Sequence, residues 1–346
     1  EVRMKHLKLT AFLLVLAVIA PSPQAADDYT DHPEFEAFVD EMARKHAFDA
    51  DRVRQWLGEA RRQPRIIDLI STPAERVLTW HEYRAIFIKP ERIEQGIGFL
   101  EEHQAAFARA EAEFGIPREV IAAIIGVETW YGRYLGPHRV LDSLATLAFD
   151  YPPRSRFFRS ELEQFLLLVR EQGFEPTELK GSYAGAMGYG QFIASSYRHY
   201  AVDFDGDDVA DIFDNPVDAI GSVAHYFEAH HWRPGGTVAV RLNDGVQVPD
   251  RLVSEELRPR FTVSDFRSAG VEVPGSLAGD EPARIVRVEG VEGPQWWLTC
   301  HNFYVITRYN HSHLYAMAVH ELAGKLAQGL VRTAGSGAGS DDEVTD

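Results

Sequence analysis

Cysteine is nearly absent from this chain: Cys300 is the only one in 346 residues. No internal disulfide can form, so a cystine framework is excluded and the fold rests on core packing, with a bound metal as the remaining clamp. Cys300 reads as a buried free thiol, because His301 beside it in sequence does not make the two side chains face each other. Basic residues are outnumbered, 35 Lys and Arg against 52 Asp and Glu, for a formal net charge of -17. They form no cluster, which excludes nucleic acid as the partner, since phosphate backbones are bound by grouped Lys and Arg. The acidity speaks to solubility and to nothing more specific. Internal repeats are missing, and so are long apolar runs. The run at residues 11–20 falls well short of the roughly 20 residues a membrane-spanning helix needs, so no transmembrane segment is expected. Zinc-peptidase spacing is lacking as well: His225, His230 and His231 do not share a helical face, and the HELAG at His320 has no second His.

What is present is enough apolar material, 45% of residues, to bury a sizeable core. Met4, Lys5, Lys8, the apolar run and the small residues up to Ala26 read as a signal peptide over residues 1–26, cleaved after Ala25 or Ala26, with Glu1 to Arg3 preceding the true start. No Cys lies near that site to take a lipid anchor, so a periplasmic, unanchored protein is expected. From about residue 33 to 232 apolar residues recur at three and four, as in Phe35, Phe38 and Met42 and again in Leu162, Phe165, Leu166 and Val169, which predicts helices. Between residues 233 and 299 short runs broken by Gly, Pro and Asp predict a β-rich insertion. Helical spacing returns at 315–330, and the Gly, Ser and acid of residues 331–346 predict a disordered tail.

The segment PREVIAAIIGVETW, residues 117–130, predicts a helix with Pro117 at its first position and an almost wholly apolar body. Glu128 follows Ile121, Ile124 and Ile125 at spacings of seven, four and three, so it shares their face close to the helix end, before Gly132 ends the turn. The helix dipole and the apolar wall both disfavour a negative charge there, which is how a general acid is kept protonated. A buried Glu paired with Arg133 or Arg139 is the alternative. The loop at residues 181–192 holds four glycines, Tyr183, Tyr189 and Gln191, and lacks the GK[ST] ending of a phosphate cradle. Uncharged polar groups, aromatic faces and close backbone approach suit a saccharide groove; a tight packed turn is the alternative.

The runs GVETWYGRYLG, LDSLATLAFDYP, GSYAGAMGYGQF, SSYRHYAVDFDGD, NPVDAIGSVAHYF and RYNHSHLYAMAVHELA closely resemble, in order and spacing, the lytic murein transglycosylase B family. The resemblance spans Tyr83 to Leu322. It implies an α+β fold, mainly α: a lysozyme-like helical core (108–232, completed by 300–314), an N-terminal helical lobe (27–107, joined by the helix at 315–330) and the inserted β domain (233–299). It implies that Glu128 is the catalytic glutamate and that peptidoglycan glycan strands are the substrate. In the family's reaction the glutamate protonates the oxygen between N-acetylmuramic acid and N-acetylglucosamine. It then takes the proton of the muramoyl C6 hydroxyl, which attacks C1 and leaves a 1,6-anhydro end. A hydrolytic lysozyme, which uses a second carboxylate about 5 to 9.5 Å away, and a non-catalytic wall-binding protein are the rival readings. The resemblance also implies sugar contacts from Ser182 and Gln191, and cleft-lining roles for Tyr83, Tyr309 and Asn310. Where many relatives carry two adjacent arginines, this chain has Pro153 and Arg154; Arg154 is the residue left to reach a substrate carboxylate.

Asp203, Asp205, Asp207, Asp211 and Asp214 occupy positions 1, 3, 5, 9 and 12 of an EF-hand-like count, with the Val209 carbonyl at position 7, which suits structural calcium. Asp208 stands at the usual Gly position and Asp214 at that of the terminal Glu. In the family an Asp at the start of the next helix closes the loop, here Asp218. An acidic turn with Asp218 as a helix cap is the alternative reading.

Overall fold

The structure, a computed structural model, describes residues 28–71 and 78–337. The expected signal peptide at residues 1–26 lies outside the described residues, as do residues 338–346 of the expected tail.

The first lobe is built from short amphipathic helices. In α1 (Phe35–His46) the buried residues are Phe35, Phe38, Val39 and Met42, one stripe at helical spacing. Asp49 caps α2 (Ala50–Gly58) by accepting the Asp51 amide, and α3 (Pro64–Ser71) opens on Pro64. A capping box between Thr79 and Glu82 starts α4 (Trp80–Phe87). Pro90 begins α5 (Pro90–Glu102), and Gly115, with a φ of 71°, ends α6 (Gln104–Phe114).

The next helix, α7 (Arg118–Thr129), is the centre of the molecule. Ile121 to Ile125 are completely buried, and α5, α6, α11 (Pro216–Ala229) and α14 (His313–Gly337) all pack on it. Its limits differ from the sequence expectation. Pro117 is the cap rather than the first helical residue, and the helix ends at Trp130, which adopts the left-handed conformation two residues before Gly132. Further helices, α8 (Val140–Asp150), α9 (Ser155–Gln172) and α10 (Ala194–Tyr200), complete the wall. A two-residue ladder, β1 (His138–Arg139) against β2 (Lys180–Gly181), ties the segment after α7 to the start of the glycine-rich loop.

The insertion is a four-stranded antiparallel sheet in the order β3-β6-β5-β4: β3 (Ala239–Arg241), β4 (Phe261–Thr262), β5 (Pro282–Gly290) and β6 (Gly293–Cys300). Strand alternation gives the sheet two working faces. Ala283 and Ile285 join Val263 and Phe266, both from α12 (Val263–Ser268), in a small separate core, whereas Val286 and Val288 face the main core. The chain leaves β6 directly into α13 (His301–Tyr309). Cys300 is free and buried there, and burial with the nearby Glu281 charge pushes its thiol up to about 12. His301 reaches instead for the His231 carbonyl at 2.8 Å, so the pair is no nucleophile.

The last helix corrects two expectations. It starts at His313 and runs on through Gly337, across residues 331–337 that composition alone reads as disordered. The apolar face from Leu314 to Leu326 is buried and anchors the helix; once anchored, each further Gly or Ser costs only about 0.5–1 kcal/mol, too little to end it at once.

Candidate active site

Glu128 is half-buried in the last turn of α7. The turn that follows is unusual. Trp130, Tyr131 and Gly132 have φ values of 54°, 58° and 84°, so two large side chains occupy a region that favours glycine. Each such residue costs about 1–3 kcal/mol, and the surroundings must supply the compensation. The Thr129 hydroxyl accepts the Gly132 amide at 3.0 Å and donates to the Tyr189 carbonyl at 2.9 Å, fastening the residue after Glu128 to the glycine-rich loop. Gly132 has to be glycine here: a Cβ would meet the Tyr189 ring at 2.2 Å.

Across the core, the hydroxyl of Tyr315 donates a hydrogen bond of 2.6 Å to Glu128 Oε1. Burial first, then the charge of Glu128, hold the Tyr315 phenol well above its ordinary value, so it stays a neutral donor. Tyr309 stacks on Tyr315 with ring centroids 6.4 Å apart and planes within 6°. Its phenol is likewise held high by burial and by Glu128, and it donates to the Gly190 carbonyl at 2.5 Å. Tyr83 of α4, only 2% exposed, contributes to the field at Tyr315. Tyr315 and Tyr309, from two helices, thus lie close to the carboxylate, and Tyr83, from a third, acts on Tyr315.

The glycine-rich loop forms the neighbouring wall. Gln191, at a φ of 50°, donates through Nε2 to the carbonyls of Leu135 and Gly188 at 3.2 and 3.0 Å, which clamps the loop to the segment after Glu128. Ser182 Oγ accepts the amides of Ala184 and Ala186 at 3.2 and 3.0 Å, using both lone pairs and leaving its proton to donate. Both residues thus build the tight turn themselves. Asn310 caps the end of α13 next to Tyr309. Arg154 is exposed in a short turn before α9, its guanidinium 4.2 Å from the Phe157 ring, and none of its described contacts reaches Glu128 or the tyrosines.

A mainly helical body with one carboxylate at the end of its central helix, faced by a glycine-rich wall, is a lysozyme-like arrangement. The pattern of the transglycosylase SLT domain family matches residues 30–324. The chain belongs to this family. As a transglycosylase SLT protein it is 41% identical over 318 residues to membrane-bound lytic murein transglycosylase B of Escherichia coli (strain K12), covering 89% of this chain and 87% of the relative. The catenated lytic transglycosylase SltB1 of Pseudomonas aeruginosa superposes with a TM-score of 0.83 at 46% identity, over 87% of this chain and 99% of that one. The Escherichia coli lytic transglycosylase Slt35 in complex with calcium superposes with a TM-score of 0.81 at 42% identity, over 88% and 96%.

The calcium complex of that relative directs attention to the acidic loop of this SLT protein. Carboxylate oxygens of Asp203, Asp205, Asp207 and Asp218 lie within 4.8 Å of one another. None of the four forms an ion pair with Lys, Arg or His among the described residues, and Asp218 is completely buried. Its oxygens accept the amides of Phe204 and Asp211 at 2.6 and 2.8 Å, yet burial still pushes its carboxyl above the usual range. Clustered hard oxygens with a buried, uncompensated charge fit a cation such as calcium. Two expected ligands are placed elsewhere. Asp211 turns its Oδ1 to the amides of Phe213 and Asp214, and Asp214 is exposed. The Val209 carbonyl accepts the Asp211 amide at 3.1 Å. Asp208, at the usual Gly position, takes the left-handed φ of 74° that the turn demands.

Sequence reasoning missed Tyr315 as a site residue. The only signal was its place in RYNHSHLYAMAVHELA, where it reads as one more apolar residue of a helix. Its role is visible only when α14 is laid against α7.

Proposed function

We propose that Glu128 is the acid and then the base of peptidoglycan strand cleavage by this lytic transglycosylase. The observation that carries the reading is the contact of Glu128 Oε1 with the neutral Tyr315 hydroxyl. A protonated Glu128 gives its proton to the glycosidic oxygen between N-acetylmuramic acid and N-acetylglucosamine as that bond breaks. The resulting carboxylate, stabilised by the Tyr315 donor, then takes the proton of the muramoyl C6 hydroxyl while that oxygen bonds to C1. The glutamate is left protonated, and the product carries a 1,6-anhydro end. Ser182 and the Asn310 amide supply neutral donors for sugar hydroxyls. Asp203, Asp205, Asp207 and Asp218 hold calcium as a structural clamp on the loop between α10 and α11.

The muramoyl C6 hydroxyl is tethered to the sugar that bears the developing cation, which favours its capture over the two-carboxylate route to water. Export to the periplasm rests on the leader-like residues 1–26. No helix among the described residues is long and apolar enough to cross a membrane. The test is the mass of the muropeptides released from purified peptidoglycan: products one water lighter than those of a lysozyme support the reading, and reducing ends at initial rate overturn it.

A further inference from the structure

The turn that follows Glu128 carries a feature the cleavage chemistry does not use. Arg92, on α5, is only 6% exposed, yet its Nε and Nη1 have no hydrogen-bond partner, and no Asp or Glu charge acts on it. Its guanidinium lies 4.3 Å from the Trp130 ring and 5.1 Å from the Phe87 ring. On the outer side Arg133 stands 6.0 Å from Trp130 and 5.7 Å from Tyr134. Tyr134, 60% exposed, is the most exposed aromatic residue among those described, and its amide is hydrogen-bonded to the Thr129 carbonyl at 2.9 Å, at the end of the helix that carries Glu128. Two guanidiniums and two aromatic rings are thus gathered beside the candidate acid, and neither guanidinium pairs with a carboxylate among the described residues. In a chain of net charge -17, two such guanidiniums without an ion pair stand apart.

A buried guanidinium without a counter-charge is costly, and an unpartnered N–H adds to that cost. A cation near the last turn of α7 gains something from the helix dipole, but the dipole does not call for two guanidiniums, nor for an exposed tyrosine. Guanidinium groups recognise carboxylates, and a ring such as Tyr134 stacks on the apolar side of a sugar or peptide. Resting on the reading of peptidoglycan strands as substrate, we propose that Arg133, Trp130 and Tyr134, backed by the buried charge of Arg92, form a subsite for a carboxylate-bearing peptide substituent on the glycan. The exposed Arg154 lies on the Phe157 ring, away from this patch at the end of the helix that carries Glu128.

The experiment compares kcat/KM on glycan strands whose peptide carboxylates are free with the same strands after conversion of those carboxylates to amides. The expected preference of the wild-type enzyme for the free acids is about tenfold, the scale of one charge-assisted hydrogen bond. Arg133→Met brings the ratio towards one, and Arg133→Lys keeps part of it. Arg133 is exposed, so an unchanged melting temperature verifies the fold of both variants. Wild-type cleavage of both strand types verifies the catalytic reading separately, because only the ratio bears on the subsite. A wild-type ratio of one, or proportional losses on both substrates in Arg133→Met, overturns the proposal; the latter would make Arg133 a helix-terminal charge and nothing more.

Discussion

The hydroxyl of Tyr315 and Oε1 of Glu128 are 2.6 Å apart although 187 residues separate them in sequence. The bond joins α7 and α14, which pack against each other in the core. Because the phenol is held neutral by burial and by the charge of Glu128, it is kept as a donor to the ionised form of Glu128.

Removing this donor should slow the reaction without weakening binding. Tyr315→Phe keeps the ring and its stacking on Tyr309, and deletes one hydrogen bond to a charged group, typically about 1.5–3 kcal/mol. The expected loss is about 10- to 100-fold in kcat with KM little changed. A fall confined to KM would place Tyr315 in substrate binding instead.

Glu128→Gln is isosteric and leaves Tyr315 an acceptor, so the fold should survive. The rate should drop by at least about 10² to 10⁴, the usual contribution of general acid–base catalysis. Near-wild-type turnover in a folded variant would remove Glu128 from the mechanism.

Calcium should stabilise the protein through Asp218 and not through Asp211. A ligand bound only by the native state raises the melting temperature, here by about 2 °C or more once millimolar calcium exceeds the dissociation constant. Asp218→Asn should abolish the rise because its carboxylate belongs to the clustered oxygens, and Asp211→Asn should preserve it because that carboxylate faces the amides of Phe213 and Asp214. Equal loss in both variants would restore Asp211 to the ligand set.

Stability should also decline on mild acidification, in part through His320. Burial lowers its imidazole from the ordinary 6.5, only partly opposed by Glu321. A histidine with a lowered folded value binds fewer protons folded than unfolded, so its contribution is complete above 6.5 and is lost as the pH falls below it. Melting temperatures from about pH 7.5 to 5.5 should fall less steeply in His320→Gln, by at most one proton, about 1.4 kcal/mol per pH unit. Identical slopes would show that the ring at His320 is not what resists protonation.

Local spacing by itself determined the helical faces, such as Phe35, Phe38 and Met42, and the position of Glu128 at the end of an apolar helix. It also determined the alternating Asp203, Asp205 and Asp207, because each of these patterns lies within one element whose periodicity the chain carries along its length. Helix ends were less legible: the left-handed Trp130 and Tyr131 follow from the anchoring of Thr129 and Tyr189, and the run of α14 through Gly337 follows from its buried face, Leu314 to Leu326, earlier in the same helix. Only the tertiary structure decided that Tyr315 is the partner of Glu128 and that Asp218, not Asp211 or Asp214, joins the carboxylate cluster. It alone showed that Arg92 lies behind Trp130 while Arg154 lies on the Phe157 ring. Those relations join separate elements, and packing sets them: which helix lies on which, and at what rotation, depends on the whole apolar surface to be buried and not on the spacing within any one segment.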